Sequence, residues 1–206
     1  MPYTLPYDHQ QALSHLRRDE HLAPLINRIS LPDLELELSV YHRLISAIIY
    51  QQLSGKAAAT IYGRFIDLFP DDYPDPGHLL SLEHTTLRTA GLSNQKSTYV
   101  QNVAEYFLTH HLLDAPWETM PDEEIVRLLL PIKGVGEWTV HMILMFALGR
   151  PDVLPTGDLG VQQAMQRLLG LTGEKKELQR QMIAAAEPWR PYRSVASRYL
   201  WRWLDQ

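Results

Sequence analysis

An all-α fold built from many short helices is what this 206-residue chain predicts. Three observations point there. Apolar residues recur at intervals of three and four, as with Val40, Leu44, Ala47 and Ile48. Cap-forming residues and glycines punctuate those stretches, Ser39 and Ser93 at starts, Gly91, Gly149 and Gly170 at ends. Only Leu34-Glu35-Leu36-Glu37-Leu38 alternates with period two, and a single strand has nothing to pair with, so this segment reads as an extended connection.

Taken in order, Ser39 caps a helix that gives out around Gln51-Gln52-Leu53-Ser54-Gly55, and a second helix runs from about Lys56 to Phe69. Pro70 to Gly77, rich in Pro and Asp, is a loop. A short helix ends at Gly91, and Ser93 caps another that reaches about His111. In Met120-Pro121-Asp122-Glu123-Glu124 a proline precedes three acids, the charge order that suits a helix N-terminus, and this helix extends to Leu130. Glu137 to Leu148 is apolar almost all round and reads as a buried central helix that Gly149 stops. Asp158 or a neighbour opens a helix to Leu169, followed by helices over Thr172 to Ala186 and Pro191 to Leu204. In the last of these Tyr192, Val195, Ala196, Tyr199 and Trp203 form an apolar stripe, with Trp201 falling beside Ser194, Ser197 and Asp205.

Composition narrows the chemistry. With no cysteine, disulfides, thiolate metal sites, iron–sulfur clusters and a cysteine nucleophile are excluded. The nine histidines show no ligand spacing, so no metal site is expected. No apolar run approaches a membrane span, and the N-terminus carries no export signal, which makes the cytoplasm the expected compartment. A net charge of −5 argues against coating nucleic acid through charge alone. A local basic segment exists, with four arginines and no acid between Trp189 and Arg202, and a solvated helix face would explain it equally well.

The most informative stretch is Leu130-Pro131-Ile132-Lys133-Gly134-Val135-Gly136-Glu137-Trp138-Thr139, with Asp158 twenty residues after Trp138. A turn with Gly134 and Gly136 between two helices lets backbone N–H groups and the positive end of the second helix approach a phosphate, and Thr139 adds a hydroxyl one turn in. Such binding needs little formal charge. By itself Gly-x-Gly is equally a tight αα-turn, and an Asp at a helix start is equally a plain N-cap.

Taken together, Gly134 to Thr139, the step to Pro155-Thr156-Gly157-Asp158, Gln51-Gln52-Leu53-Ser54-Gly55-Lys56-Ala57-Ala58 upstream and Pro188-Trp189-Arg190 through Trp201 downstream resemble the helix-hairpin-helix DNA glycosylases, in their alkylation-repair branch, 3-methyladenine DNA glycosylase II. The resemblance covers Val40 to the C-terminus and implies two helical lobes flanking a cleft, about 1–40 plus 172–206 forming one and about 41–171 the hairpin-bearing other. It implies hydrolysis of the N-glycosidic bond of an alkylated base flipped out of double-stranded DNA, 3-methyladenine or 7-methylguanine in type, by a monomer without cofactor or membrane association.

On that resemblance Asp158 is the catalytic carboxylate, placed where a helix N-terminus complements its charge. Lys133, Gly134, Val135, Gly136 and Thr139 hold the DNA backbone, and Trp138, Met142 and Trp201 line the base pocket. Relatives with lyase activity carry a lysine where this chain has Trp138, so no strand cutting is expected. Family members commonly have a tyrosine at the Met142 position, and methionine contacts a ring less specifically. Leu53 resembles the wedge that enters the base stack, although a Leu at a helix end is more often buried. The competing readings are a non-catalytic helix-hairpin-helix DNA-binding module and a helical protein-interaction domain.

Overall fold

Helical hydrogen bonding accounts for all the regular structure in the computed structural model, which describes residues 5–34, 36, 39–53 and 55–206; among them there is no strand. Leu34 and Leu36 are in neither helix nor strand, and Glu35, Glu37 and Leu38 of the anticipated extended connection lie outside the described residues, as does Ser54. The chain divides into two compact units, one of residues 1–36 and 144–206, the other of residues 37–143. No helix of the described residues is long and apolar enough to cross a membrane.

Among the described residues two helices precede Ser39: α1 (His9–Leu16) and α2 (Leu22–Arg28). Asp8 caps the first through Gln10 N and Gln11 N, and Asp19 accepts from His21 N and Leu22 N at the start of the second. In the 37–143 unit come α3 (Val40–Tyr50), α4 (Gly55–Ile66), α5 (Pro76–Ser81), α6 (His84–Thr89), α7 (Asn94–Thr109) and α8 (Asp122–Leu129). The anticipated caps are in place: Ser39 Oγ accepts from His42 N at 3.1 Å and Ser93 Oγ from Lys96 N at 3.2 Å. Where one short helix was expected before Gly91 there are two, because the chain extends at Leu82 and the carbonyls of Leu79 and Leu82 accept from Gln101 Nε2 instead of a continuing helix. The anticipated loop from Pro70 contains a 3₁₀ turn at Pro70–Asp72 and ends early, at the N-cap Asp75.

Helix α7 is the spine of this unit, packing against α3, α5 and α6. Its buried Val100, Val103, Ala104 and Phe107 recur at three- and four-residue spacing, as do Tyr41, Leu44, Ile45, Ile48 and Ile49 of α3. Tyr41 is fully packed and its hydroxyl donates to Pro74 O at 2.8 Å, the partner a buried phenol requires.

Helix α9 (Glu137–Phe146) carries the chain out of this unit. It ends two residues earlier than its apolar run, at a left-handed Gly149 (φ +62°) with Arg150 N returning to Leu144 O at 2.8 Å. Then follow α10 (Leu159–Leu169), α11 (Lys175–Ala185) and α12 (Arg193–Leu204). Gly170 stops α10 at φ +68°.

The division differs from the one anticipated at residues 40 and 171. Val161, Ala164 and Met165 of α10 share one core with Leu178 and Met182 of α11 and Val195, Ala196, Tyr199 and Leu200 of α12. A boundary at 171 would cut through that core, so residues 144–171 group with the C-terminal helices instead of with the hairpin. Ala12, Leu16, Leu22, Leu25 and Ile26 of α1 and α2 complete the cluster. At its centre Trp189 is fully buried, and its indole N–H donates to Asp19 Oδ2 at 2.9 Å.

Candidate functional site

The hairpin occupies residues 130–136 between α8 and α9, wholly in the 37–143 unit. Ile132 N returns to Leu129 O at 3.1 Å and Val135 N to Ile132 O at 2.9 Å, closing two consecutive turns. The two glycines serve different needs. Gly134 sits at φ +105°, and a Cβ there would lie 2.4 Å from the Tyr99 ring, so the residue answers to its own chain. Gly136 is exposed, and a Cβ on it would meet nothing within 4 Å. Among the described residues no neighbour demands a glycine there.

Neighbouring side chains hold this turn from within. Asn102 Nδ2 donates to Lys133 O at 3.3 Å, and Gln51 Nε2 donates to Thr139 Oγ1 at 3.3 Å and to Gly134 O at 3.5 Å. Two anticipated backbone contacts therefore change character. Thr139 is only 2 % exposed and its hydroxyl accepts from Gln51, so it braces the turn from inside. The Val135 side chain is buried and its N–H is engaged within the hairpin, so of the anticipated backbone contacts Lys133 and Gly136 are the exposed ones, beside the opening turn of α9.

On α9 itself Trp138 is half-buried and Met142 buried. Burial pushes the His141 imidazole below its ordinary value, with Glu137 opposing the shift, so α9 presents no imidazolium at neutral pH.

The turn between α3 and α4 ends in exposed residues. Gln52 takes φ +57° and Leu53 is 38 % exposed, against the commoner burial of a helix-end leucine. Beneath them the Lys96 ammonium donates to Ile49 O at 2.7 Å and Gln51 O at 2.8 Å, capping the last carbonyls of α3; burial lowers its pKa. Sequence reasoning missed Lys96, Tyr99 and Asn102, each more than thirty residues from its partner in the hairpin or tip.

In the other unit Asp158 is the N-cap of α10, its Oδ1 accepting from Val161 N at 2.8 Å. The same oxygen accepts from Trp201 Nε1 at 2.7 Å. Trp201 also lies against Phe146, with ring centroids 5.9 Å apart at 30°, and lines a cavity of about 280 Å³ with Leu31 to Leu34, Arg198 and Arg202. Its neighbours differ from expectation, since Ser194, Ser197 and Leu200 of α12 are buried and the core face is wider than the stripe read from sequence. Trp201 thus contacts the carboxylate directly, a role that its position on the helix wheel does not reveal.

Gly160, unremarked in the sequence, makes that contact possible. A Cβ at this position would stand 3.0 Å from Trp201 Cδ1 and 3.2 Å from Asp158 Oδ1. Gly160→Ala is expected to leave thermal stability equal or slightly raised, because Ala favours the helix by up to about 1 kcal/mol. The ring must still shift by a few tenths of an ångström, and any activity that depends on Asp158 should fall several-fold. Melting curves alongside turnover measurements check this; a variant with unchanged activity would show that the contact is incidental.

A helix-hairpin-helix turn in one unit and a capped aspartate at the head of a helix in the other define a class of protein. Residues 45–191 match the model of the HhH-GPD superfamily base excision DNA repair proteins, and the chain belongs to that family. Among individual proteins it is 34 % identical over 202 residues to the putative DNA-3-methyladenine glycosylase YfjP of Bacillus subtilis, covering 95 % of this chain and 69 % of that one. It is 32 % identical to DNA-3-methyladenine glycosylase 1 of Schizosaccharomyces pombe, covering 79 % and 71 %. The fold is similar to that of the S. pombe Mag1 glycosylase in complex with abasic DNA, at a TM-score of 0.84 and 30 % identity over 95 % of this chain and 97 % of that one. A Bacillus halodurans DNA-3-methyladenine glycosidase superposes at a TM-score of 0.79 with 32 % identity, covering 99 % and 93 %.

Proposed function

We propose that this chain is a monofunctional DNA glycosylase that releases alkylated bases of the 3-methyladenine and 7-methylguanine type from double-stranded DNA. The observation that carries the reading is the double hold on Asp158 Oδ1, by the Val161 N–H and the Trp201 indole N–H, which fixes one orientation of a carboxylate at a helix head. The names of the relatives support the substrate class.

A base alkylated on a ring nitrogen is already cationic. When its bond to C1′ breaks, the bonding pair goes to the base, which departs neutral without needing a proton. The remaining oxocarbenium-like sugar is stabilised by the Asp158 carboxylate. Water adds its oxygen to C1′ and gives up a proton to that carboxylate or to solvent. One acid group therefore suffices where other glycosidases employ two. With Trp138 in place of a lysine, no amine is available there to form a Schiff base, and the product is an intact abasic strand.

In this reading the 37–143 unit supplies the grip. Lys133, Gly136 and the first turn of α9 take a phosphate, Leu53 enters the base stack, and Trp138 and Met142 contact the base. Asp158 is the catalytic carboxylate, and Trp201, bonded to it, lines the base pocket. The protein is assigned as a monomer acting on chromosomal DNA in the cytoplasm. Incubation with methylated duplex DNA, followed by chromatography of released bases, is expected to yield 3-methyladenine or 7-methylguanine with no strand nicking before alkali treatment. Absence of any free base from alkylated DNA would remove the enzymatic reading in favour of a DNA-binding module.

A further inference from the structure

The approach to Asp158 is a nine-residue loop, Arg150 to Asp158, and its tertiary hydrogen bonds run repeatedly to one helix. At the N-terminal end of α12, Ser194 Oγ accepts from Val153 N at 2.9 Å and donates to Arg150 O at 2.7 Å, while Ser194 N donates to Pro151 O at 2.9 Å. Beside it Arg193 donates through Nε to Asp152 Oδ1 at 2.7 Å and through Nη2 to Asp152 O at 2.9 Å and Oδ2 at 3.1 Å, and Arg190 Nη1 adds a bond to Oδ2 at 2.6 Å. Eight residues after Arg193, about 12 Å along the helix axis, Trp201 grips the far end of the loop at Asp158 Oδ1. Between these anchors Gln162 Nε2 holds Thr156 O at 2.7 Å.

We propose that α12 acts as a gauge for the carboxylate, so that Asp152, Arg193 and Ser194 are positioning residues working through Asp158. The helix is rigid, and both ends of the loop are pinned to it. The place where the loop departs therefore sets where its end can lie. Ser194 saturates the loop backbone from a buried position, and the Arg193 fork reads both the side chain and the carbonyl of Asp152, a two-point contact that fixes direction as well as distance. Releasing the near end frees the loop to slide along the helix and strains or breaks the Trp201–Asp158 bond. Displacement by about 1 Å is enough to slow a reaction by up to about a hundredfold.

This inference rests on the glycosylase reading, and the experiment separates the two. Asp152→Asn keeps the shape of the side chain and Ser194→Ala removes only the hydroxyl. Each is assayed in the full chain by single-turnover base release from methylated duplex DNA, by affinity for abasic duplex, and by the indole N–H resonance of Trp201. The expected result is a release rate lower by about 10- to 100-fold, abasic-DNA affinity within twofold of the parent, and a shifted Trp201 resonance. A double variant of Asp152→Asn with Trp201→Phe should be no slower than the slower single variant, since both act through one carboxylate. Unchanged rates in folded variants, additive losses in the double variant, or rate and affinity falling together would each overturn the gauge. If Ser194→Ala fails to fold, Asp152→Asn decides alone. Undiminished release by Asp158→Asn would instead remove the catalytic assignment itself, whatever the positioning variants do.

Discussion

Asp158→Asn is expected to lower base release from methylated DNA by about 10²- to 10³-fold, the scale on which a single preorganised electrostatic group contributes to catalysis. Its value as a test lies in what it leaves alone. Asn is as good an N-cap as Asp, so the bond to Val161 N and the head of α10 survive. The amide oxygen can still accept from Trp201 Nε1. The negative charge disappears and an NH2 group replaces the second oxygen, and with the charge goes the stabilisation of a positively charging sugar. The unfolding midpoint should not move, and affinity for abasic duplex should persist. Base-release kinetics together with a thermal melt check both halves; a fully active, fully folded variant would refute the assignment of Asp158.

The second large effect concerns the two hairpin glycines, which should respond in opposite ways. Gly134→Ala places a Cβ at φ +105° and 2.4 Å from the Tyr99 ring. Backbone strain and overpacking together cost at least about 2 kcal/mol, a large share of the stability of a small protein. The denaturation midpoint should fall sharply. Gly136→Ala meets nothing within 4 Å, and stability should stay within about 0.5 kcal/mol of the parent. If the outer face of Gly136 is where a phosphate approaches, the added methyl should weaken abasic-duplex binding by about tenfold, equivalent to roughly 1.4 kcal/mol. Chemical denaturation and fluorescence anisotropy separate the two. Equal loss of binding and no loss of stability in both variants would contradict the division of labour described for them.

What the sequence made legible was local. Ser39, Ser93 and Asp158 announce helix starts because a cap bonds two or three residues away, and Gly149 and Gly170 announce ends because a left-handed residue has few alternatives. The order of hairpin, apolar helix and aspartate was readable for the same reason. The features that escaped depend on residues far apart in the chain. Thr139 reads from sequence as a hydroxyl offered to a phosphate, and Gln51, 88 positions earlier, is what engages it inside the turn. Ser194 lies off the apolar stripe read from the sequence, and its partners Val153 and Arg150 are 41 and 44 positions away. The break between α5 and α6 answers to Gln101, some twenty residues on. The boundary at 143 follows from which core α10 joins, and no spacing within α10 encodes that.

The tip between α3 and α4 has one more consequence. An apolar side chain that must slip between stacked bases is most effective if it does not first have to be immobilised, since ordering a loop on association subtracts directly from affinity. Lys96 holds the backbone beneath Leu53 at the Ile49 and Gln51 carbonyls, and the Gln51 side chain ties it to Gly134 O and Thr139 Oγ1 of the hairpin. The chain thus incurs the entropy loss of the tip backbone when it folds, and under the proposed function Leu53 would meet the base stack from a support that is already ordered.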